Sequence, residues 1–121
     1  MVIIIAILTT ITLPTYLKTA ERARASEALQ LLAAIRSAEN RYRAQSGTYT
    51  VDLDQLDMNV PGVNGTPPSP HWSFTTGAAV GSNAVATRSD GPYQNATIEM
   101  DLDSGALCSS NAIYGLAAAP C

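Results

Sequence analysis

The sequence begins with an apolar run that a small domain cannot bury by itself. Residues 1–13 carry no charge, and only Thr9, Thr10 and Thr12 interrupt their apolar character. The chain continues into a helical pattern without a break, so one long helix is predicted over residues 1–47. Such a helix measures about 70 Å at ~1.5 Å per residue. Residues 48–121 are too few to cover it, so lipid or copies of the helix must cover its front half.

The apolar run is shorter than the segments that it superficially resembles. It supplies thirteen residues, whereas a membrane-spanning helix needs about 20. A secretory signal peptide has a basic segment before the run and a small-residue cleavage site after it. Here nothing precedes the run, and Pro14, Thr15 and Tyr16 follow it. We therefore interpret residues 1–17 as the front of the long helix and expect that residues have been lost ahead of Met1. Pro14 predicts a kink or local unwinding between residues 6 and 14.

The second part of the helix, residues 18–47, is amphipathic. Apolar residues recur at mostly three- and four-residue spacing, and Leu29 and Leu32 widen the stripe. Gly47 is well placed to end the helix as a left-handed cap. The positions predicted to pack against the rest of the protein are Ala28, Leu31, Ile35, Ala38 and Tyr42.

The remaining residues, 48–121, predict a small head of antiparallel strands, which gives an α+β fold. The segment 48–70 is rich in Pro and Gly and predicts a connector loop with one short helical turn at residues 52–56. The sheet is assigned to residues 71–105 and a closed loop to residues 106–121. Strands are predicted at 71–76, 83–87 and 96–102, with a short one near 112–114.

Two cysteines, Cys108 and Cys121, are separated by twelve residues at the end of the chain. A lone pair that closes a short loop on a small, weakly charged head favours a disulfide. Two free thiols, or half of a metal site, are the alternatives. His71 is the only histidine and lies far from both in the sequence, which disfavours zinc.

Charge is distributed unevenly along the chain. Residues 1–47 hold six basic and three acidic residues, whereas residues 48–121 hold one arginine and seven acidic residues. The basic helix of residues 1–47, which we call the stalk, and the acidic head of residues 48–121 could attract each other between neighbouring subunits. The alternative is that both are solvated faces, because an exposed pair contributes only about 0–1 kcal/mol.

Residues that carry chemistry are sparse. The chain has no nucleophile motif, phosphate-binding loop or zinc spacing, so we predict no enzyme activity, no cofactor, no metal and no specific nucleic-acid partner. His71 is interpreted as a packing or surface residue. Asp52, Asp54 and Asp57 could bind calcium, as could Asp101 and Asp103, but the pattern lacks the glycine and distal glutamate of a calcium loop. Turn caps and solvated carboxylates are the alternative.

The helical half also resembles a known family. The segment MVIIIAILTTITLPTY is similar to the N-terminal helix of type IV pilins and pseudopilins, and Pro14 with Tyr16 matches the family's Pro-x-Tyr kink site. The stretch TYTVDLDQL, which follows the helix, looks like the next loop of many bacterial pilins. Cys108 and Cys121 resemble the disulfide-bounded loop at the end of many pilins. The resemblance is specific over about the first 55 residues and loose over the head.

The resemblance implies a structural subunit that polymerises through its N-terminal helix into an extracellular type IV pilus used for adhesion, motility or DNA uptake. Its implied partners are copies of itself, the inner membrane before assembly, a prepilin peptidase and the pilus assembly machinery. The implied location is the bacterial cell surface, with an inner-membrane pool. The residues that would form the filament core are Val2, Ile3, Ile4, Ile5, Ile7, Leu8, Ile11 and Leu13.

One departure from the family is clear. Its processing-site glycine and the glutamate that follows are absent, and matching Pro14 to the family's proline places Met1 inside the mature chain. We expect that the sequence is truncated at its front; the alternatives are that the numbering starts late or that this variant lacks the glutamate. The alternative functions are a pseudopilin of a type II secretion machine and a membrane-tethered periplasmic domain.

Overall fold

In the computed structural model of this chain, one α-helix, α1, spans Val2–Ser46 and has 45 residues. The structure describes residues 2–63, 65–77 and 83–119, with side-chain environments described from residue 18 onward. Helical structure continues through Pro14, so the local unwinding considered for residues 6–14 does not occur. The kink at Pro14 stays a prediction. At ~1.5 Å per residue, α1 is about 68 Å long.

The end of α1 follows the capping chemistry expected from the sequence. Gly47 has a φ of 89°, a left-handed conformation that suits glycine, and its N–H donates to the carbonyl oxygen of Arg43 at 2.7 Å. A short 3-10 helix then spans Leu53–Gln55, capped by the side chain of Asp52. The left-handed cap and the helical turn within residues 52–56 are therefore confirmed.

The described part of the head contains five strands, whose order in the sheet follows their order in the chain. The first three neighbouring pairs are antiparallel, but the last pair is parallel. The α+β class is thus confirmed, whereas the prediction of a wholly antiparallel sheet is wrong. The sheet also extends beyond residues 71–105. Its strands are β1 (Trp72–Thr76), β2 (Asn83–Arg88), β3 (Thr97–Asp101), β4 (Leu107–Ser109) and β5 (Ala117–Ala118).

The parallel pair arises from the chain between β4 and β5. The strand predicted near residues 112–114 is instead a 3-10 helix, Ala112–Tyr114, because the Asn111 side chain accepts a hydrogen bond from the Ile113 N–H at 3.0 Å. Gly115 ends that helix with a φ of 69°. The chain then returns alongside β4 in the same direction, as a two-residue strand.

The core lies between α1 and the inner face of the sheet. Ala28, Ile35 and Ala38 are buried there, whereas Leu31 and Tyr42 are partly buried and pack against its edge. Leu32, which the sequence analysis treated as widening the stripe, is fully buried. On the sheet, alternate residues such as Trp72, Phe74 and Ile98 face the helix.

The head has two ends along α1, which we call the base and the top. At the base, β1 begins and the Trp72 indole N–H donates to the carbonyl oxygen of Arg24 at 2.9 Å. At the top, β1 ends and the Thr76 hydroxyl donates to Glu39 at 3.4 Å. N-terminal to Lys18, α1 continues for sixteen residues, about 24 Å.

Candidate functional site

Two buried glutamates define the surface by which α1 holds the head. Glu21 is 1% exposed and Glu39 is 0% exposed. They lie at the two ends of one buried stripe, whose members are separated by alternating steps of four and three residues. The sequence analysis counted both as helix charges and missed this role, although the same spacing on the sequence could have shown it. The stripe consists of Glu21, Ala25, Ala28, Leu32, Ile35 and Glu39.

Glu21 forms an ionic cluster with the head at its base. Arg88, at the end of β2, is 2% exposed. It donates through Nε to Glu21 Oε1 at 2.7 Å and through Nη2 to Glu21 Oε2 at 3.2 Å. Tyr114 donates its hydroxyl to Glu21 Oε1 at 2.7 Å. The Arg24 guanidinium lies 3.5 Å from Glu21 Oε2. Arg88, the only arginine of residues 48–121, therefore binds the stalk.

Aromatic rings close this cluster. The Arg88 guanidinium lies 5.7 Å from the centroid of the Trp72 ring, a cation–π geometry. The rings of Trp72 and Tyr114 are tilted by 52°, with centroids 5.9 Å apart. The other side of Arg88 donates to Asp90 and to the carbonyl oxygen of His71. These contacts surround the Arg88 guanidinium, so the ion pair between Arg88 and Glu21 is shielded from water.

The electrostatics of the cluster favour its ionised form. Burial alone raises the pKa of Glu21, but hydrogen bonds from Arg88 and Tyr114 and the charges of Arg88 and Arg24 outweigh it, so the pKa lies below its ordinary value. The hydrogen bond to Glu21 raises the pKa of Arg88. Burial and the neighbouring carboxylate raise the pKa of Tyr114, which keeps its hydroxyl a donor. The pair is fully charged at neutral pH.

Glu39 is buried without such compensation. Its carboxylate accepts from the Thr50 N–H at 2.9 Å and from the Thr76 hydroxyl at 3.4 Å. No cation forms a salt bridge with it among the residues that the structure describes. Burial raises the pKa of Glu39, and the two hydrogen bonds offset this only in part. Glu39 therefore joins the helix to the connector and to β1 at an electrostatic cost.

Glu39→Gln is expected to stabilise the protein at neutral pH. A carboxyl whose folded pKa is raised stabilises the fold fully below its ordinary pKa of about 4.3 and loses that stabilisation as pH rises through the folded pKa. Gln keeps an acceptor for Thr50 without the buried charge. The Tm of the variant should exceed that of the wild type at pH 7 by a few degrees, and the gap should close near pH 4. A lower Tm at pH 7 would contradict this.

The other arginines of α1 bind the head of their own chain. Arg41 forms two hydrogen bonds of 2.7 Å to the carboxylate of Asp57. Arg36 donates to the carbonyl oxygens of Leu102 and Asp103. Of these contacts, only the one between Arg41 and Asp57 pairs opposite charges of stalk and head within one subunit, and its side chains remain 52% and 59% exposed. Attraction between the stalk and head of neighbouring subunits stays a prediction.

A second polar cluster ties the top of the head to α1. Asp103 Oδ1 accepts from the Tyr49 hydroxyl at 2.6 Å and from Arg43 Nη1 at 3.0 Å. The Arg43 guanidinium also lies 5.1 Å from the Tyr49 ring centroid. Because its members come from the helix, the connector and the turn after β3, the cluster joins three elements at one point.

Four of the five aspartates considered for calcium, all except Asp54, serve other roles. Asp52 caps the first 3-10 helix, and Asp101 Oδ1 accepts from the N–H groups of Asp103 and Ser104 at 2.8 and 3.3 Å. Asp57 is paired with Arg41. Over the described residues, no three His, Cys, Asp or Glu side chains come together in a way that could hold a metal ion.

Several predicted site residues lie outside what the structure describes. The filament-core set Val2, Ile3, Ile4, Ile5, Ile7, Leu8, Ile11 and Leu13, together with Pro14, lies in α1, but its side chains are not among those described. Cys108 is buried in β4. Its predicted partner Cys121 lies outside the described residues. His71 is partly exposed, with Nδ1 3.5 Å from Asp90 Oδ1.

The chain was compared with protein-family models, curated proteins and solved structures. No protein-family model, no curated protein and no solved structure matches it. In the part of the chain that the structure describes, no helix combines the length and apolarity required to cross a membrane. The buried cluster of Glu21, Arg88 and Tyr114, which fixes the head on α1, is the most elaborate polar site in the described residues.

Proposed function

We propose that this protein is a structural subunit that polymerises through its N-terminal helix into a type IV pilus-like filament on the bacterial cell surface. The observation that carries the proposal is the mismatch between helix and head. α1 is 45 residues long, about 68 Å, whereas the longest strand of the sheet has six residues, about 20 Å. A sheet of that length supports burial of only part of such a helix.

The way the head is attached to α1 also supports assembly. From Glu21 to Arg43, contacts with strands, turns and connector bind the helix to the head at both ends. Head and stalk therefore move as one unit. The apolar residues 2–13 belong to the same helix and extend it beyond the base of the head. Copies that bundle these stretches in parallel make a heterologous contact that does not close, which produces a fibre.

The remaining features of the proposal follow from the resemblance to type IV pilins. The subunit is held in the inner membrane, processed by a prepilin peptidase and added to the filament by an assembly machine. The filament core is formed by the apolar residues from Val2 to Leu13, and Pro14 bends the helix within it. The filament serves adhesion, motility or DNA uptake.

We further propose that Cys108 and Cys121 form a disulfide that closes the end of the head. No free cysteine occurs among the described residues, and Cys108 is 1% exposed within a three-residue strand. Closing a loop of this length stabilises a fold by roughly 3 kcal/mol. It would hold the two-residue β5 against β4.

Cys121→Ser is expected to lower the free energy of unfolding by about 3 kcal/mol under oxidising conditions. The measurement is urea denaturation of the variant and the wild type. Adding a reductant should lower the wild type to the level of the variant and leave the variant unchanged. Equal stability of the two proteins under oxidising conditions would argue against the bridge.

Electron microscopy of the purified chain, transferred from detergent into plain buffer, tests the proposed function. We expect filaments that contain this chain as their main component. Discrete particles of one or two subunits that bind or convert a small ligand would instead support a tethered periplasmic domain. Short filaments that form only with calcium would support a secretion pseudopilin.

A further inference from the structure

Two groups of charges without an ion pair among the described residues lie at opposite ends of the head. At the base, Lys18 and Arg22 are exposed. Arg22 donates to the carbonyl oxygen of Ile113 at 3.0 Å. Within the described part of the chain, neither residue forms an ion pair with a carboxylate. Nearer the top, Arg41 and Arg43 are paired with Asp57 and Asp103 of their own head, so Lys18 and Arg22 are exposed positive charges at the base without a carboxylate partner.

Near the top, where Asp57 binds Arg41, exposed carboxylates lie beside an open groove. The groove has a volume of about 220 Å³ and is formed by residues between 53 and 66. Its wall includes Leu53, Leu56 and Val60, and two carboxylates, Asp54 and Asp57. Asp57 is paired with Arg41. Asp54 is exposed and, like the adjacent Asp52, has no cation partner among the residues described.

We propose that the groove at residues 53–66 of one subunit binds the basic segment at residues 18–22 of a second copy in the filament. The inference rests on the proposed function, because the parallel bundling of α1 sets the polarity of the heads. Parallel heads that follow one another along the axis meet base to top, and Lys18 lies about 42 Å from Ser46 along α1. That contact places Lys18 against Asp52 and Asp54.

The same charges disfavour the wrong arrangement. A base-to-base contact would oppose Lys18 and Arg22 to their own copies, and a top-to-top contact would oppose Asp52 and Asp54 to theirs. Like charges brought together across an interface disfavour that pairing. The polarity of the head therefore favours a contact that continues along the filament over a closed dimer.

Zero-length carbodiimide cross-linking of wild-type filaments tests the contact directly. The reagent joins an amine to a carboxylate that touches it, and Lys18 is the only lysine in the chain. Lys18 and Asp54 lie at opposite ends of one head, so a bond between them must join two subunits. Mass spectrometry should identify peptides that join Lys18 to Asp52 or Asp54. Filaments that yield no such peptide would overturn the proposal.

Charge reversal gives a second test with a matched control. Lys18→Glu and Asp54→Lys should each raise the concentration needed for assembly about fivefold, and the double variant should restore it. Glu27→Lys changes the net charge as Asp54→Lys does, but it lies about 180° around α1 from Lys18, so it should assemble normally. Equal effects of Glu27→Lys and Asp54→Lys would overturn the proposal. Absence of filaments from the wild type would overturn the proposed function itself.

Discussion

Replacing Arg88 by methionine is expected to lower the free energy of unfolding by about 3–5 kcal/mol. The change removes both guanidinium hydrogen bonds to Glu21 and leaves a carboxylate that is 1% exposed without its main counter-charge. It also removes the cation–π contact with Trp72. Urea denaturation at pH 7 measures the effect, with a head-specific signal from the fluorescence of Trp72.

Two companion variants isolate the buried charge as the cause. Glu21→Leu combined with Arg88→Met should recover most of the loss, because a buried ion pair replaced by apolar residues is often neutral in stability. Arg41→Met breaks an exposed pair with Asp57 and should cost at most about 1 kcal/mol. If Arg88→Met were as mild as Arg41→Met, the cluster at the base would not hold the head on α1.

Ile4→Asp is expected to abolish filament formation. In the proposed bundle, residue 4 lies among apolar side chains of neighbouring helices, where a carboxylate without a partner costs several kcal/mol. That penalty recurs at every subunit, so even a modest value prevents growth of the polymer. Negative-stain electron microscopy of variant and wild type at equal concentration measures the outcome.

The control for Ile4→Asp is the head of the same molecule. Residue 4 lies seventeen positions ahead of Glu21 in α1, so the urea midpoint reported by Trp72 should match that of the wild type. Ile4→Val, which keeps an apolar side chain, should assemble normally. Filaments of wild-type length from Ile4→Asp would refute the assignment of the apolar segment to the filament core.

Local sequence patterns predicted the elements that local physics determines. The three- and four-residue spacing located α1, Gly47 marked its end, and the alternation of residues 96–102 located β3. Pro and Gly correctly marked the connector as irregular. These features depend on hydrogen bonds and side-chain periodicity within a few residues, which a single sequence displays directly.

The parts that the sequence did not predict depend on distant partners. The helical spacing could have shown that Glu21 is buried, but nothing near it shows that Arg88, 67 positions away, will neutralise it. β5 has only two residues, and its alanines carry no alternation. The side chain of Asn111 decided between a strand and a 3-10 helix at residues 112–114, a competition that residue propensities alone do not settle.

Sedimentation velocity of the intact chain in detergent-free buffer tests the central claim most directly. If the front of α1 must be covered by other copies, the protein should sediment as large polymers, and detergent should convert them into small particles whose heads remain folded. A single 12.7 kDa species that stays monomeric across micromolar concentrations without detergent would contradict the account.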